Sequence, residues 1–354
     1  MSSRILRVAS SLFLLLSLAC TFTVSAVAAD KFELKFVSEY PDKHPTVKNG
    51  FLPWIEEVKE LSNGRLDITF FNPNALVPAR QVWSSVIAGV ADIAASPCHW
   101  VHGTLKVAPV IQLPMMYNGA EAGSLTTWEI SQTTPEWQKE YNQVKVLWHW
   151  ASALFEVHTK DTLIRTLEDL KGKKMIGWNP QIRNIIKELG ANPVEVTPHD
   201  TYMALERGMA DGVICPIAPM KVYKITDVAK KHTIVDLMAD PFYAVMNKQK
   251  WDSLPEDLQK ILEDTTGERM ARISGKTLDE GSIRDVAWMK EQGHEFYVLP
   301  ADEKAKWQEK VNGIHQNWVK QMEKKGYSNA QKIHDTTVSL GKKYSSETVG
   351  GYKE

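Results

Sequence analysis

Cysteine is scarce in this chain, with three in 354 residues. Cys20 lies in an N-terminal leader, so only Cys98 and Cys215 remain, which excludes a disulfide framework. Each follows a strand in a different half, and a bond between them would clamp the halves together, so free thiols are expected. Net charge is equally lacking: 42 Lys and Arg stand against 43 Asp and Glu, a formal −1, and removing Arg4 and Arg7 with the leader makes it −3. This balance provides no basic footprint for nucleic acid. No apolar run reaches the ~20 residues that a bilayer-spanning helix needs. The run Leu12–Ala19 is shorter, follows Arg4 and Arg7, and precedes the small residues Ala26-Val27-Ala28-Ala29. That is the build of a cleavable export signal. Residues 1–29 are therefore expected to be removed, with the mature chain starting at Ala29 or Asp30. Lipidation at Cys20 is the alternative, but Ser17-Leu18-Ala19 lacks the aliphatic residue expected three before the cysteine.

Motifs of catalysis and metal binding are missing too. His44, His99, His102, His149, His158 and His199 form neither HxxxH nor HExxH, and His99 and His102 flank Trp100 without an acidic partner. His199-Asp200 reads as a helix cap. Ser96, Ser152 and the cysteines lack a GxSxG or Cys–His arrangement. No enzyme, cofactor or metal is expected.

What is present is alternation. Leu167–Val213 reads as strand, helix, strand, helix, strand: Lys174–Trp178, a helix opening at Asn179-Pro180 and closed by Gly190, Pro193–Val196, a helix carrying Tyr202, Met203, Leu205 and Met209, and Gly212–Cys215. Such alternation specifies an α/β fold with a mostly parallel sheet, and these sheets bind ligands at the carboxyl ends of their strands. The first half repeats the pattern, with strands at Lys31–Ser38, Leu66–Phe71 and Ala91–Ser96 and helices at Val47–Leu61 and Arg80–Ala88. About 325 mature residues exceed one core. Two lobes are expected, 30–150 plus 241–275 and 151–240 plus 276–343. Val144–Ala153 crosses from the first to the second, Pro241–Asn247 returns, and 344–354 is a flexible tail. Pro255–Gln292 is a helical stretch of 38 residues, roughly 57 Å at full length, bent or broken at Gly267 or Gly275. Ala301–Lys325 adds a further helix.

The segments LEDLKGKKM, ELGANPVEV, YMALERGMADGV, NKQKWDSLPEDLQKIL, NPNALVPARQVWSSVIAGVADIAAS and APVIQLPMMY resemble, in order, the solute-binding proteins of tripartite ATP-independent periplasmic (TRAP) transporters, dicarboxylate-binding type. The resemblance covers nearly the whole mature chain. It implies a two-lobed periplasmic-binding-protein fold (type II-like) with mixed sheets and a long helix bridging both lobes. It also implies a periplasmic, monomeric binding protein that captures a small organic solute and passes it to the small and large TRAP membrane subunits. A periplasmic ligand sensor partnering a signalling receptor would share the fold.

The pocket departs from that family. Ile176 in LKGKKMI stands where a carboxylate-binding arginine is usual, Glu156 in LFEVHT matches a second arginine, and Cys215 in DGVICP matches an asparagine. A bound anion then needs another cation to offset its desolvation, and Arg80, Arg183 and Lys221 are candidates. Trp100, Trp150 and Trp178 follow or end strands near the expected cleft and could stack on a flat ring or hold a cation. Glu156 beside them would favour an ammonium group, unless it pairs on the surface with Lys160 or Arg165. Glu39, Cys98, Asn179 and Phe242 complete the candidate ligand-binding set. The expected solute is aromatic, amino-bearing or both, with a conventional carboxylate as the alternative.

Overall fold

Phe32–Ser38 (β1) alternates exposed and buried residues until its last three are all buried, the pattern of a strand running from a sheet's rim into its core. The structure, a computed structural model, describes residues 30–101 and 103–353. The export signal, Cys20 and His102 lie outside the described residues. From Phe32 onward the chain forms one compact unit built on two sheets.

The first sheet has the order β2-β1-β3-β10-β4, with β2 at Leu66–Phe71, β3 at Ile93–Pro97, β4 at Val144–Ala151 and β10 at Pro241–Asn247. β1, β2 and β3 are parallel, while β10 runs antiparallel to both β3 and β4. Every residue of β10 is buried. Its only proline is its first residue, where a missing N–H does no harm. The second sheet has the order β11-β9-β5-β8-β6-β7, with β5 at Glu156–Thr159, β6 at Lys174–Ile176, β7 at Asn192–Val194, β8 at Gly212–Cys215, β9 at Lys231–Ile234 and β11 at Glu295–Val298. Pro193 sits in β7, an edge strand. β5 is antiparallel to β8 and β9, so both sheets are mixed.

The chain crosses between sheets at Ser152–Phe155 and returns at Leu237–Asp240. These crossings lie side by side as a short ladder: Ser152 N donates to Asp240 O (2.9 Å), Phe155 N to Met238 O (2.9 Å) and Leu237 N to Phe155 O (3.1 Å).

The long helical stretch breaks at Gly267. Helices Glu256–Thr265 and Glu268–Glu291 meet there, at φ 63° and ψ −136°, a backbone region that only glycine tolerates. Gly275 is instead interior to the second helix. A Cβ there would lie 2.5 Å from Glu121 Cα and 2.6 Å from Ala120 O, so the glycine lets helix Ala120–Thr133 approach. Glu268–Glu291 spans roughly 36 Å. Met270 and Leu278 pack under the first sheet, whereas Val286 and Met289 pack with Ile217 and Ile234 beside the second. One helix thus braces both lobes. Residues 344–353, expected as a flexible tail, instead continue helix Ala330–Glu347 and dock, with Gly351 N donating to Asn118 O (3.0 Å) and Lys290 Nζ donating to Tyr352 Oη (2.6 Å). No helix among the described residues is long and apolar enough to cross a membrane.

Candidate functional site

Strand polarity gathers the site. β3 runs parallel to β1 and antiparallel to β10, pairing Ser38 with Ala95 and Phe242 with Pro97. The carboxyl ends of β1 and β3 and the amino end of β10 therefore share one edge. That edge delivers Glu39 after β1, the turn Cys98–Trp100 after β3, and Asp240 before β10. From the other sheet, the end of β6 delivers Trp178 and Asn179.

Asp240 is the joint between them. It is buried, and its carboxylate accepts from Gln112 Nε2 (2.7 Å) and from Asn179 Nδ2 (3.3 Å to each oxygen). His99 Nδ1 stands 3.8 Å from it. Asn179 also caps helix Pro180–Glu188, its Oδ1 accepting from Ile182 N (2.9 Å). The same side chain orders a second-lobe helix and reaches the hinge carboxylate.

The three candidate cations separate clearly. Arg183 turns back on its own lobe, donating to Gly177 O (3.1 Å) and pairing with Glu195 (3.2 Å). Lys221 lies over the Trp288 ring at 4.3 Å. Arg80, on the turn Ala79–Gln81, is exposed and holds its guanidinium 4.1 Å from the Trp100 ring centre, a cation–π contact. Among the described residues it has no carboxylate partner. Arg80 is the cation this cleft can offer to an anion.

Glu39 lies beside it. Burial, then repulsion from Asp240, holds its carboxyl well above the usual glutamate range, while the positive charge of Arg80 opposes the shift. No hydrogen bond or ion pair engages its carboxyl among the described residues. Tyr40 stacks between His44 (3.7 Å, 3° between planes) and Phe242 (5.5 Å). Burial lowers the His44 pKa to about 4, so the imidazole is neutral near pH 7. Trp178 is half-buried, donates from Nε1 to Thr201 Oγ1 (3.0 Å) and meets Tyr223 edge-on at 6.0 Å. The Tyr223 hydroxyl is close enough to Glu39 to feel its charge. Glu39, Arg80, Trp100, Trp178, Tyr223 and Asp240 are linked by these proximities and form a candidate ligand-binding set drawn from both sheets.

Other candidates sit elsewhere. Trp150 is fully buried and stacks on Phe242 at 5.0 Å, so this pair forms the floor beneath Tyr40. Cys98 is buried with Sγ 3.5 Å from Tyr141 Oη, and burial pushes its thiol up to about 12. Cys215 is buried against Met220 (Sγ to Sδ 3.7 Å), and burial raises its thiol too. Both are unpaired and packed as small apolar groups. Ile176 has no exposure and belongs to the core around Val213 and Leu205.

Glu156 differs most from the expected placement. Its Oε2 accepts from Val235 N (2.5 Å) and Asp236 N (3.1 Å), and neither Lys160 nor Arg165 engages it. It lines a separate cavity of about 10 Å³ with Asp236, Asp279 and Tyr352, room for one water at most. Arg80, Trp100 and Asp240 do not line that cavity. The cause is strand phase: Glu156 opens β5 opposite Cys215, and its side chain turns to the crossing at Val235 rather than to β1.

The residues that sequence reasoning missed are Tyr40, Gln112, Tyr223 and Asp240. Asp240 had a signal, an acidic residue directly before the proline that starts the returning strand. The others had none, since their roles come from segments distant in sequence. Among the histidines, His158 Nδ1 bonds His232 Nδ1 (2.9 Å), His158 Nε2 bonds Cys215 O (3.0 Å), and His232 Nε2 bonds His294 Nδ1 (2.8 Å), a structural chain across the second sheet.

The profile of the family Bacterial extracellular solute-binding protein, family 7 matches residues 36–322. The C4-dicarboxylate-binding periplasmic protein DctP of Rhodobacter capsulatus is 25% identical over 303 residues, 84% of this chain and 90% of that protein. A TRAP solute-binding protein from Rhodoferax ferrireducens T118, solved in complex with copurified benzoate, is 27% identical with TM-score 0.81, covering 90% of this chain and 99% of that one. A marine metagenome TRAP solute-binding protein specific for aromatic acid ligands, solved with 3-hydroxybenzoate, is 27% identical with TM-score 0.81, covering 89% and 99%.

Proposed function

Because this chain belongs to the bacterial extracellular solute-binding proteins of family 7, the solute-binding component of TRAP transporters, we propose that it captures a small organic acid with a flat or aromatic body and delivers it to a TRAP membrane pair. The observation that carries this reading is Arg80, stacked on Trp100 and unpaired with any carboxylate at the mouth of the cleft. A guanidinium held by its face keeps its planar fork for a ligand carboxylate. Trp100 on one lobe and the Trp178–Tyr223 pair on the other supply faces for a ring. Relatives of similar fold bind benzoate and 3-hydroxybenzoate, which supports an acid of this size. A ligand touching both walls binds the closed arrangement best and shifts the open–closed equilibrium toward it.

The test is calorimetry and thermal unfolding of the mature chain with benzoate, 3-hydroxybenzoate, mandelate, succinate and amino-substituted aromatic acids. A binding acid at ~100-fold its Kd adds about 2.7 kcal/mol to stability. Arg80→Gln should then weaken that acid by about 10- to 100-fold, the equivalent of one charge-assisted hydrogen bond, without lowering the unfolding midpoint of the free protein. No response to any acid, or full affinity in Arg80→Gln, overturns the reading. Delivery is tested by uptake of the labelled acid into cells with and without the gene for this chain.

A further inference from the structure

We propose that the solute carries an ammonium group as well as its carboxylate, and that Glu39, with Asp240 behind it, receives this group at the hinge end of the cleft. The inference rests on the organic-acid reading and specifies the ligand further.

The cleft has an excess of acid. Glu39 and Asp240 face it against a single free guanidinium, Arg80. The amides of Gln112 and Asn179 hold the Asp240 carboxylate, with His99 Nδ1 at 3.8 Å. Arg183 and Lys221, the other nearby cations, are committed to Glu195 and to the Trp288 face. The positions resembling the family's arginines hold Ile176, buried in the core, and Glu156, tied to backbone N–H groups of the crossing. A simple monocarboxylate entering this cleft would place a third acidic group beside one guanidinium and drive Glu39 further toward its protonated form. An acid that also carries an ammonium adds no net charge, and its two ends match the two free groups, Arg80 and Glu39.

The aromatic frame agrees. Tyr40, the residue after Glu39, is held by stacking on His44 and Phe242, and Tyr223, close to Glu39, offers a ring to an ammonium there. The charged and titratable groups around Glu39 are Asp240, Arg80, Tyr40, Tyr223 and Tyr243, with His99 beyond Asp240. Asp240 and burial hold the Glu39 carboxyl up, so part of the free protein carries a proton there between the ordinary glutamate range and the raised value. An arriving ammonium lowers that pKa and expels the proton. An arriving anion without an ammonium raises it further and takes a proton up.

Two matched pairs decide the matter: L-phenylalanine against 3-phenylpropionate, and 4-(aminomethyl)benzoate against 4-methylbenzoate. In calorimetry on the mature chain, the ammonium-bearing member of at least one pair should bind tenfold or more tightly than its partner. Repeated in buffers of different ionisation heat, that binding should release protons. Glu39→Gln should erase the preference within the pair while leaving the ammonium-free acid as tight or tighter, with the unfolding midpoint unchanged. Equal affinity within both pairs, preference for the ammonium-free acids, proton uptake, or a preference that survives Glu39→Gln overturns the ammonium proposal and leaves the organic-acid reading standing. If no acid of either pair or of the wider panel binds, both readings fall.

Discussion

A carboxylate buried to 4% exposure must find donors, and Glu156 finds two backbone N–H groups, Val235 and Asp236. Burial, and then repulsion from Asp236, raises its pKa well above the usual range, while the two N–H bonds and Lys304 oppose the shift. The folded state therefore holds this proton more tightly than the unfolded chain. Stability from this group is fully present below the ordinary glutamate pKa and is lost as pH rises toward the raised value. Glu156→Gln keeps an acceptor oxygen for both N–H groups and removes the titration. Urea unfolding should place the variant within about 1 kcal/mol of wild type at pH 4.5, the worth of one hydrogen bond, and above wild type at pH 8. Ligand affinity should change less than twofold. A tenfold loss would return Glu156 to the ligand site. Sequence alone puts this residue in the cleft because the resemblance supplies its position in the chain, whereas strand phase and the nearby crossing decide which way it points.

At the scale of the element, the 38-residue stretch Pro255–Gln292 is read as helical with a bend or break at Gly267 or Gly275, and the break falls at Gly267. Two glycines look alike in the sequence and differ in their neighbours. Gly267 takes a backbone shape closed to other residues. Gly275 is an ordinary helical residue made necessary by helix Ala120–Thr133 across from it, whose first two N–H groups are capped by Asp279 of the same long helix (Ala120 N to Oδ1 2.7 Å, Glu121 N to Oδ2 2.9 Å). Burial lifts Asp279 to about 6 against those two bonds. Gly275→Ala should destabilise by about 1–3 kcal/mol through overpacking. Gly281→Ala in the same helix, whose new Cβ would meet nothing closer than 3.8 Å, should instead stabilise by about 0.5–1 kcal/mol. Equal effects of the two in urea unfolding would mean that the helices are not in close contact.

At the scale of the molecule, two side-by-side crossings and one bracing helix connect two sheets that each contribute residues to the candidate site. The apolar residues Ile176, Val213, Leu205 and Met220 pack within one lobe and Phe36, Trp54 and Trp148 within the other, while a third cluster, from Val37 and Ala94 to Met175 and Ile214, runs through both. Small-angle scattering should show a smaller radius of gyration when a binding acid is present at ~100-fold its Kd, with no chemically altered product released. An unchanged profile under saturation would argue against closure as the response to ligand.

The sequence by itself determined the alternation of strands and helices, the crossing and return of the chain, the family resemblance and the missing arginines. All of these rest on local periodicity, turn residues and chain order, which short windows carry. It also offered Arg80, at a helix start, and Glu39, Trp100, Trp178 and Asn179, just past strand ends that strand boundaries make legible, as candidates. Only the tertiary structure decided which cation is free. Arg80, Arg183 and Lys221 are equivalent as letters, and their difference lies in Trp100, Glu195 and Trp288, partners brought by other elements. Asp240 became the centre of the site in the same way, through Gln112 and Asn179, which lie 128 and 61 residues away along the chain. Side-chain direction and long-range pairing depend on how sheets pack, and no local pattern encodes that.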